Sequence, residues 1–260
     1  MVARGWATHP EILAQDIRQL FLVVGNARAG TTFAQSILAL DEGHRTLRFR
    51  DVQHPSPLRG TDLAADGAAL AEQGDYVDFI LDRSPGMHAA HPYFDQLGET
   101  EAEDEYVYAL DFHLVYPLWL LKVANMPQAL PPRDPVLALR FHRDMLKQFQ
   151  WKFPTRRWVG KGVIHQYVMP AVLEVYPDAV CFWMHRRPEE YVTSLLELLA
   201  LQYPPFPRDL HVAAGTIKAG TVGAMAFGVR LVCDGEVRAV LQHYTRMAED
   251  LAPEWPSGDG

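Results

Sequence analysis

The chain has 260 residues, with 24 lysines and arginines against 32 aspartates and glutamates, so its formal net charge is −8. This acidity argues against nucleic acid or an anionic membrane surface as a partner, because proteins that bind these carry a basic face. The two cysteines stand in no zinc-ligand pattern. We therefore expect no structural zinc. We find neither a signal-peptide pattern nor an apolar run of the roughly 20 residues that span a membrane, so we expect a cytoplasmic protein.

The order of the predicted elements is typical of an α/β fold. Phe21–Gly25 predicts a buried strand, and a helical pattern follows it after a glycine-bearing turn. Thr46–Phe49 predicts a second strand. Further strands are predicted at Trp158–Gly160 and Ala179–Met184, and further helices at Asp62–Gln73, Tyr106–Leu121, Val136–Trp151, Ile164–Val175, Pro188–Ala200 and Val222–Leu251. This alternation predicts a mostly parallel sheet, with a helical insertion or lid at about residues 61–151.

The segment Gly25–Thr32 (GNARAGTT) joins the first predicted strand to the first predicted helix. Two glycines at this spacing, followed by threonine, are typical of a phosphate-binding loop, in which backbone amides and a helix N-terminus bind the anion. The nucleoside-triphosphate version has a lysine where this chain has Thr31, and here the cation is Arg28. No apolar strand ends in an aspartate that would hold magnesium. The loop therefore predicts a phosphate site unlike that of an NTPase, with a plain glycine-rich turn as the alternative.

A second polar cluster, His185–Ser194, follows the last predicted strand. Arg186 stands at the end of the strand, and Ser194 lies about two turns into the next helix. An arginine can bind a phosphate through two N–H groups, and a serine hydroxyl can add a hydrogen bond. Alternatively, Arg186 pairs with a surface acid and Ser194 bonds to its own helix.

Together, these segments resemble the sulfotransferase superfamily, whose members move a sulfuryl group from 3′-phosphoadenylyl sulfate (PAPS) to an acceptor. The likeness is strongest to the bacterial group related to tyrosylprotein sulfotransferases. It spans roughly residues 20–200 and rests on three ordered motifs, Arg28–Thr32, Trp158–His165 and His185–Ser194. The resemblance implies one domain over residues 1–260 with a P-loop-like, three-layer α/β/α fold. It also implies PAPS as the donor, no metal, and a hydroxyl of a small molecule, lipid or sugar as the acceptor.

The resemblance also assigns roles to individual residues. The donor-binding residues would be Arg28, Ala29, Gly30, Thr31, Thr32, Arg186 and Ser194. Ala29 replaces the usual serine of the loop, which removes a hydroxyl but keeps a small side chain. Arg28 and Lys161 would neutralise charge on the bridging and leaving oxygens, and Lys161 is one of only five lysines in the chain.

An acceptor hydroxyl also needs a general base. The resemblance places this base at the end of the second strand, at Asp51, where relatives carry glutamate. His54 is the competing candidate, because an unperturbed imidazole titrates near neutral pH. We expect the acidic run Glu99–Glu105 to cap the helix that follows it.

Two other functions stay open. A P-loop kinase for a small metabolite would require Mg–ATP, although the loop lysine and the magnesium aspartate are missing. A degenerate nucleotide-binding protein would bind without turnover. Ala29, Val163 and a C-terminus that we expect to be shortened favour that alternative. The sequence predicts no oligomeric state.

Overall fold

The structure is a computed structural model, and it describes residues 2–55, 67–83, 86, 88, 98–111, 134–187, 190, 194, 195 and 198. The predicted helix Val222–Leu251 lies outside the described residues, as do the start of the helix predicted at Asp62–Gln73 and the part of the Tyr106–Leu121 prediction beyond residue 111. Within Pro188–Ala200, the described residues 190, 194, 195 and 198 are helical, as predicted.

Four parallel strands form the sheet of the described chain. They are β1 (Phe21–Gly25), β2 (His44–Arg45), β3 (Arg157–Lys161) and β4 (Val180–Met184). Their order is β2-β3-β1-β4, so β1 lies between β3 and β4. Val23 is in register with Lys161, and Gly25 is in register with Met184, so the carboxyl ends of these three strands lie at one edge. The predicted α/β class with a parallel sheet is confirmed.

Seven helices accompany the sheet in the described residues. They are α1 (Val2–Thr8), α2 (Thr31–Leu38), α3 (Phe49–Gln53), α4 (Gly67–Arg83), α5 (Glu105–Ala109), α6 (Pro135–Lys152) and α7 (Met169–Val175), with 3-10 turns at Pro10–Ile12 and His165–Tyr167. Helix α6 matches its prediction because the chain carries both signals of a helix start. The Asp134 side chain accepts a hydrogen bond from the Val136 amide, and Pro135 occupies the first turn.

The core lies around the central strand and the long helix α6. Leu22, Val23 and Val24 of β1 are at most 1% exposed, as expected for a parallel strand covered on both faces. Phe149 of α6 packs on Trp158 of β3 with their ring centroids 6.5 Å apart. Burying each such side chain contributes about 1.5–3 kcal/mol, so this packing fixes the strands whose ends carry the loop.

The prediction of a strand at Thr46–Phe49 is wrong. The strand is the shorter β2, and Phe49 begins helix α3. The segment leaves the sheet because its backbone pairs elsewhere: the Phe49 amide donates to the carbonyl of Thr100, and Arg48 forms an antiparallel bridge with Glu101. Asp51 therefore lies in the first turn of a helix rather than at the end of a strand.

Two helix boundaries also differ from the predictions. Helix α4 continues ten residues beyond Gln73, because its apolar face continues past Gly74, with Val77 fully buried. The helix predicted at Ile164–Val175 is divided into a 3-10 turn and α7, because Pro170 in the first turn of α7 has no amide hydrogen to continue a helix. Within the described ranges, no helix has the length and hydropathy needed to cross a membrane. The lid role and the single domain over residues 1–260 stay predictions.

Candidate active site

The loop between β1 and α2 contains two glycines with positive φ. Gly25 has φ +142°, and a Cβ atom there would lie 2.6 Å from the Met184 carbonyl oxygen of β4, so only glycine fits. Gly30 precedes α2 with φ +91°, and it has no side chain that could cap the helix. Amides at the start of such a helix suit an anion, because they combine hydrogen-bond donors with the positive end of the helix dipole.

Lys161 brings an ammonium group from β3 to this loop. Its Nζ donates a 3.0 Å hydrogen bond to Thr32 Oγ1 in the first turn of α2, and it lies 2.6 Å from Glu103 Oε1. The Lys161 side chain is 1% exposed and that of Glu103 is 13% exposed, so the pair is largely shielded from water. The position where an NTPase loop has its lysine holds Thr31, which is buried. The neighbouring strand thus brings a lysine to a loop that has none of its own.

Arg28 and the His185–Ser194 segment also meet at the loop. The Arg28 Nε donates a 2.9 Å hydrogen bond to Ser194 Oγ, and Arg186 Nη1 donates one of 3.1 Å to the Arg28 carbonyl. Arg186 also pairs with Glu190 at 3.0 Å, which is the surface-acid contact considered as its alternative role. Arg28 has φ +69°, a left-handed conformation that is strained for a residue other than glycine. Such strain is often found at ligand sites.

Asp51 and His54 are held in other contacts. Asp51 is fully buried, and its Oδ2 accepts 2.8 Å from Arg45 Nη2 and 3.3 Å from the Arg48 amide. Its Oδ1 has no hydrogen-bond partner among the described residues. His54 Nε2 lies 3.9 Å from Glu72 Oε2. Across the described chain, no hydrogen bond or ion pair joins either residue to the loop or to Lys161.

A buried polar cluster lies directly behind Lys161. The Asp104 amide donates 2.8 Å to the Lys161 carbonyl, and the Asp104 carboxylate lies 3.5 Å from His142 Nε2 and 3.7 Å from His165 Nε2. Gly160 makes room for this carboxylate, because a Cβ atom there would lie 2.5 Å from Asp104 Oδ2. Two tyrosine hydroxyls complete the cluster at 2.8 Å from the two imidazoles, Tyr108 from His165 and Tyr176 from His142.

His165 in this cluster and Glu105 beside it both have strongly shifted pKa values. Burial lowers the pKa of His165 to about 4, partly opposed by the charge of Asp104. Burial raises the pKa of Glu105 to about 8, and the charge of Glu103 adds to the rise. The Glu105 carboxyl accepts 3.0 Å from the Ile164 amide, so it is fixed below the loop that follows β3. Near neutral pH, His165 is therefore neutral and Glu105 is mostly protonated.

Sequence reasoning missed Glu103. The acidic run was expected to cap a helix, and Glu105 does lie in the first turn of α5. Glu103 instead pairs with Lys161 from a segment 58 positions away along the chain. The one available signal is that a buried lysine requires a carboxylate partner, which does not say which of the acids provides it. Among the described residues, no group of three or more His, Cys, Asp or Glu side chains is arranged to hold a metal ion.

Two solved structures are similar to this chain over almost its whole length. The sulfotransferase STF9 from Mycobacterium avium superposes with a TM-score of 0.71 at 19% identity, covering 98% of this chain and 73% of that one. The sulfotransferase STF1 from Mycobacterium tuberculosis H37Rv gives 0.64 at 20% identity, covering 97% and 68%. The chain therefore has the fold of these sulfotransferases, which confirms the predicted resemblance at the level of the fold.

Sequence comparison adds a short match only. Fifty residues are 44% identical to an amine dehydrogenase from Streptomyces virginiae, which amounts to 18% of this chain and 14% of that protein. No family model matches the chain.

Proposed function

We propose that this chain is a sulfotransferase that moves a sulfuryl group from PAPS to a hydroxyl group of an acceptor. The observation that carries the proposal is the hydrogen bond between Lys161 Nζ and Thr32 Oγ1. It brings a cation from β3 to the N-terminal turn of α2, where a phosphate loop binds its anion. The shared fold with two mycobacterial sulfotransferases supports the same conclusion.

The residues at this edge fit a donor that carries a phosphosulfate and a separate 3′-phosphate. The amides from Gly30 to Thr32 would hold the phosphosulfate, and the N-cap residue Gly30 has no side chain to compete for them. Ala29 and Gly30 are small, which allows the backbone to approach an anion closely. Arg186 and Ser194 would hold the 3′-phosphate, and both are joined to Arg28 by hydrogen bonds. The two parts of the donor site are thus connected through one side chain.

Sulfuryl transfer is an in-line displacement at sulfur in which the protein mainly positions groups and stabilises charge, as in phosphoryl transfer. PAPS supplies the sulfuryl group and leaves as 3′,5′-ADP. Arg28 and Lys161 would stabilise negative charge on the bridging and leaving oxygens. A sulfuryl group carries less charge than a phosphoryl group, so two cations and backbone amides can provide this stabilisation without magnesium.

The acceptor is proposed by chemical class. A hydroxyl of a small molecule, a lipid or a sugar fits the reaction, and the net charge of −8 disfavours a polyanionic acceptor. A cytoplasmic location remains part of this proposal.

Calorimetric titration with 3′,5′-ADP, 5′-ADP and Mg–ATP tests the proposal. We expect binding that requires the 3′-phosphate and no magnesium. Arg186→Ala should weaken 3′,5′-ADP binding by roughly one to two orders of magnitude, as expected for loss of a charged hydrogen bond. Arg187→Ala is the matched control, because among the described residues Arg187 shares the Glu190 partner but makes no hydrogen bond to the loop.

Three outcomes would contradict the proposal. A preference for Mg–ATP would favour the kinase. Equal binding of 5′-ADP and 3′,5′-ADP would contradict the role of Arg186. Binding of 3′,5′-ADP without transfer from PAPS to any hydroxyl would favour a degenerate nucleotide-binding protein.

A further inference from the structure

We propose that Glu103, rather than Asp51, is the general base that takes the proton from the acceptor hydroxyl. This inference rests on the proposed function and adds a residue that neither the loop motif nor the resemblance assigns. Its observations are the position of Glu103 beside Lys161, its backbone anchoring and its partial access to solvent.

Backbone hydrogen bonds on both sides of Glu103 fix the point from which its side chain extends. The Ala102 amide donates 2.7 Å to the Leu47 carbonyl, and the Asp104 amide donates 2.8 Å to the Lys161 carbonyl. Glu103 is therefore held between two anchored neighbours, next to the carboxyl end of β3. A base needs this fixed placement, because proton transfer requires the acceptor hydroxyl within hydrogen-bond distance.

Access distinguishes Glu103 from Asp51. The Asp51 carboxylate is fully buried, so an acceptor hydroxyl cannot reach it without opening the packing around α3. The Glu103 side chain is 13% exposed, at the edge where the donor would bind. Asp51 instead stabilises the start of α3, because its carboxylate accepts the amide of Arg48. The role of Asp51 is therefore structural.

The charges around Glu103 also suit a base. Lys161 Nζ lies 2.6 Å from Glu103 Oε1, so one carboxylate adjoins the cation that would stabilise the departing oxygen. The neighbouring Glu105 is mostly protonated near neutral pH, because burial and the charge of Glu103 raise its pKa to about 8. The Glu103 carboxylate thus has the Lys161 ammonium on one side and a mostly neutral carboxyl group on the other.

The proposed step balances as follows. A bond forms between the acceptor oxygen and sulfur while the bond from sulfur to the bridging phosphate oxygen breaks. The electron pair of that bond stays on the 5′-phosphate of the leaving 3′,5′-ADP. The hydroxyl proton passes to the Glu103 carboxylate and is then released to water.

The test compares Glu103→Gln, Glu103→Asp and Asp51→Asn with the wild-type chain. Transfer of sulfuryl from PAPS to 2-naphthol, and release of sulfate to water, are measured between about pH 3.5 and pH 9 beside calorimetric titration with 3′,5′-ADP, because an ordinary glutamate titrates near 4.3. We expect Glu103→Gln to lower kcat by about 10²–10⁴-fold and to abolish the decline of rate at acid pH. Its affinity for 3′,5′-ADP should stay within about threefold, a change of less than 1 kcal/mol.

The other two variants show whether the effect of Glu103→Gln is due to loss of the carboxylate at this position. Glu103→Asp should retain the acid decline at a reduced rate, because the carboxylate remains but is one methylene shorter. Asp51→Asn should retain the acid decline and instead lower the free energy of unfolding. Urea unfolding of each variant separates this structural effect from the catalytic one.

Several outcomes would overturn the inference. Glu103→Gln could keep the acid decline, or Asp51→Asn could remove it. Glu103→Gln could weaken 3′,5′-ADP binding tenfold with an unchanged pH profile, which would make Glu103 a positioning residue for Lys161. A wild-type chain that binds 3′,5′-ADP but transfers sulfuryl neither to 2-naphthol nor to water contradicts a base at Glu103, because a positioned base would also activate water. A wild-type chain that does not bind 3′,5′-ADP overturns the proposed function itself, and this inference with it.

Discussion

Lys161 and Thr32 lie 129 residues apart in the chain, yet their side chains share a 3.0 Å hydrogen bond at the carboxyl edge of the sheet. Because β1 and β3 are parallel neighbours, the strand that ends in Lys161 lies beside the strand that leads into the loop. The loop therefore needs no lysine of its own. Besides Arg28 of the loop itself, a second positive charge comes from Lys161, whose position depends on the pairing of two strands.

Replacing Lys161 should remove much of the turnover. We expect Lys161→Met to lower kcat by about 10²–10³-fold, the usual effect of removing one group that stabilises developing negative charge. Lys147→Met is the matched control, because Lys147 is a lysine of α6 that pairs with Asp144. Steady-state rates with PAPS and a phenol measure both variants. A Lys161→Met variant with unchanged kcat would show that the cation has no part in the reaction.

Replacing Arg28 by glycine should weaken donor binding with little effect on stability. The left-handed conformation at Arg28 costs a non-glycine residue about 1–2 kcal/mol. Arg28→Gly removes this cost, and it also removes the hydrogen bond to Ser194. We expect the free energy of unfolding to change by less than about 1 kcal/mol, while 3′,5′-ADP affinity falls at least about tenfold. Urea unfolding and calorimetry measure the two quantities.

Gln19 provides the control for that experiment, because it also has a positive φ, of 46°. Gln19→Gly should leave 3′,5′-ADP affinity unchanged. If both glycine variants bind 3′,5′-ADP like the wild type, Arg28 is not a donor ligand.

Two glycines of the loop should differ in their tolerance of a methyl group. Both have positive φ, but a Cβ atom at Gly25 meets the Met184 carbonyl oxygen at 2.6 Å, whereas one at Gly30 meets only Met184 Cε at 4.0 Å. Gly30→Ala should lower the free energy of unfolding by about 1–2 kcal/mol, the cost of the backbone conformation alone. Gly25→Ala should cost more, because β4 must also move away from β1. Equal losses in urea unfolding would contradict this account.

His165 should make the fold less stable in acid. Its pKa is lowered from 6.5 to about 4 by burial, so the unfolded chain binds a proton that the folded chain does not. Stability from this group is fully present above pH 6.5 and is lost as the pH falls towards 4. At 1.36 kcal/mol per pKa unit, the whole loss is about 3 kcal/mol. Urea unfolding at a series of pH values measures it, and His165→Gln should flatten this part of the profile.

Glu105 should make the fold less stable in alkali. Its pKa is raised from 4.5 to about 8, so the folded chain keeps a proton that the unfolded chain releases. Stability from this group is fully present below pH 4.5 and declines as the pH rises to 8. Between about pH 4.5 and 6.5 the two groups oppose each other, so the maximum should lie there. A Glu105→Gln variant that keeps the alkaline decline would show that another group causes it.

The sequence predicted the elements whose signals are local. Phe21–Gly25 and Ala179–Met184 are apolar runs bounded by turns, and the strands lie there. Thr46–Phe49 has the composition of a strand, but the chain turns into a helix where the Phe49 amide bonds to the Thr100 carbonyl. No pattern within the segment reveals that partner.

In the candidate site, too, some residues could be predicted from the sequence and others could not. The loop follows from the spacing of its glycines after a predicted strand, whereas the resemblance to sulfotransferases points to Lys161, directly after the predicted strand Trp158–Gly160. The pairing of Glu103 with Lys161 depends on where residues 101–104 pass the end of β3, which tertiary hydrogen bonds decide. Sequence reasoning therefore found the cation without its carboxylate partner.

The position of β1 at the centre of the sheet has a consequence for synthesis on the ribosome. In the described sheet its neighbours are β3 and β4, which begin about 130 residues or more after β1 ends. At 5–20 residues per second, the finished β1 waits on the order of ten seconds before a neighbouring strand exists. Throughout that time the apolar run Phe21–Gly25 lacks its sheet partners, a state in which nascent chains recruit chaperones. The loop between β1 and α2 is thus translated well before the strand that carries Lys161, and it can reach its final surroundings only after that strand has been made.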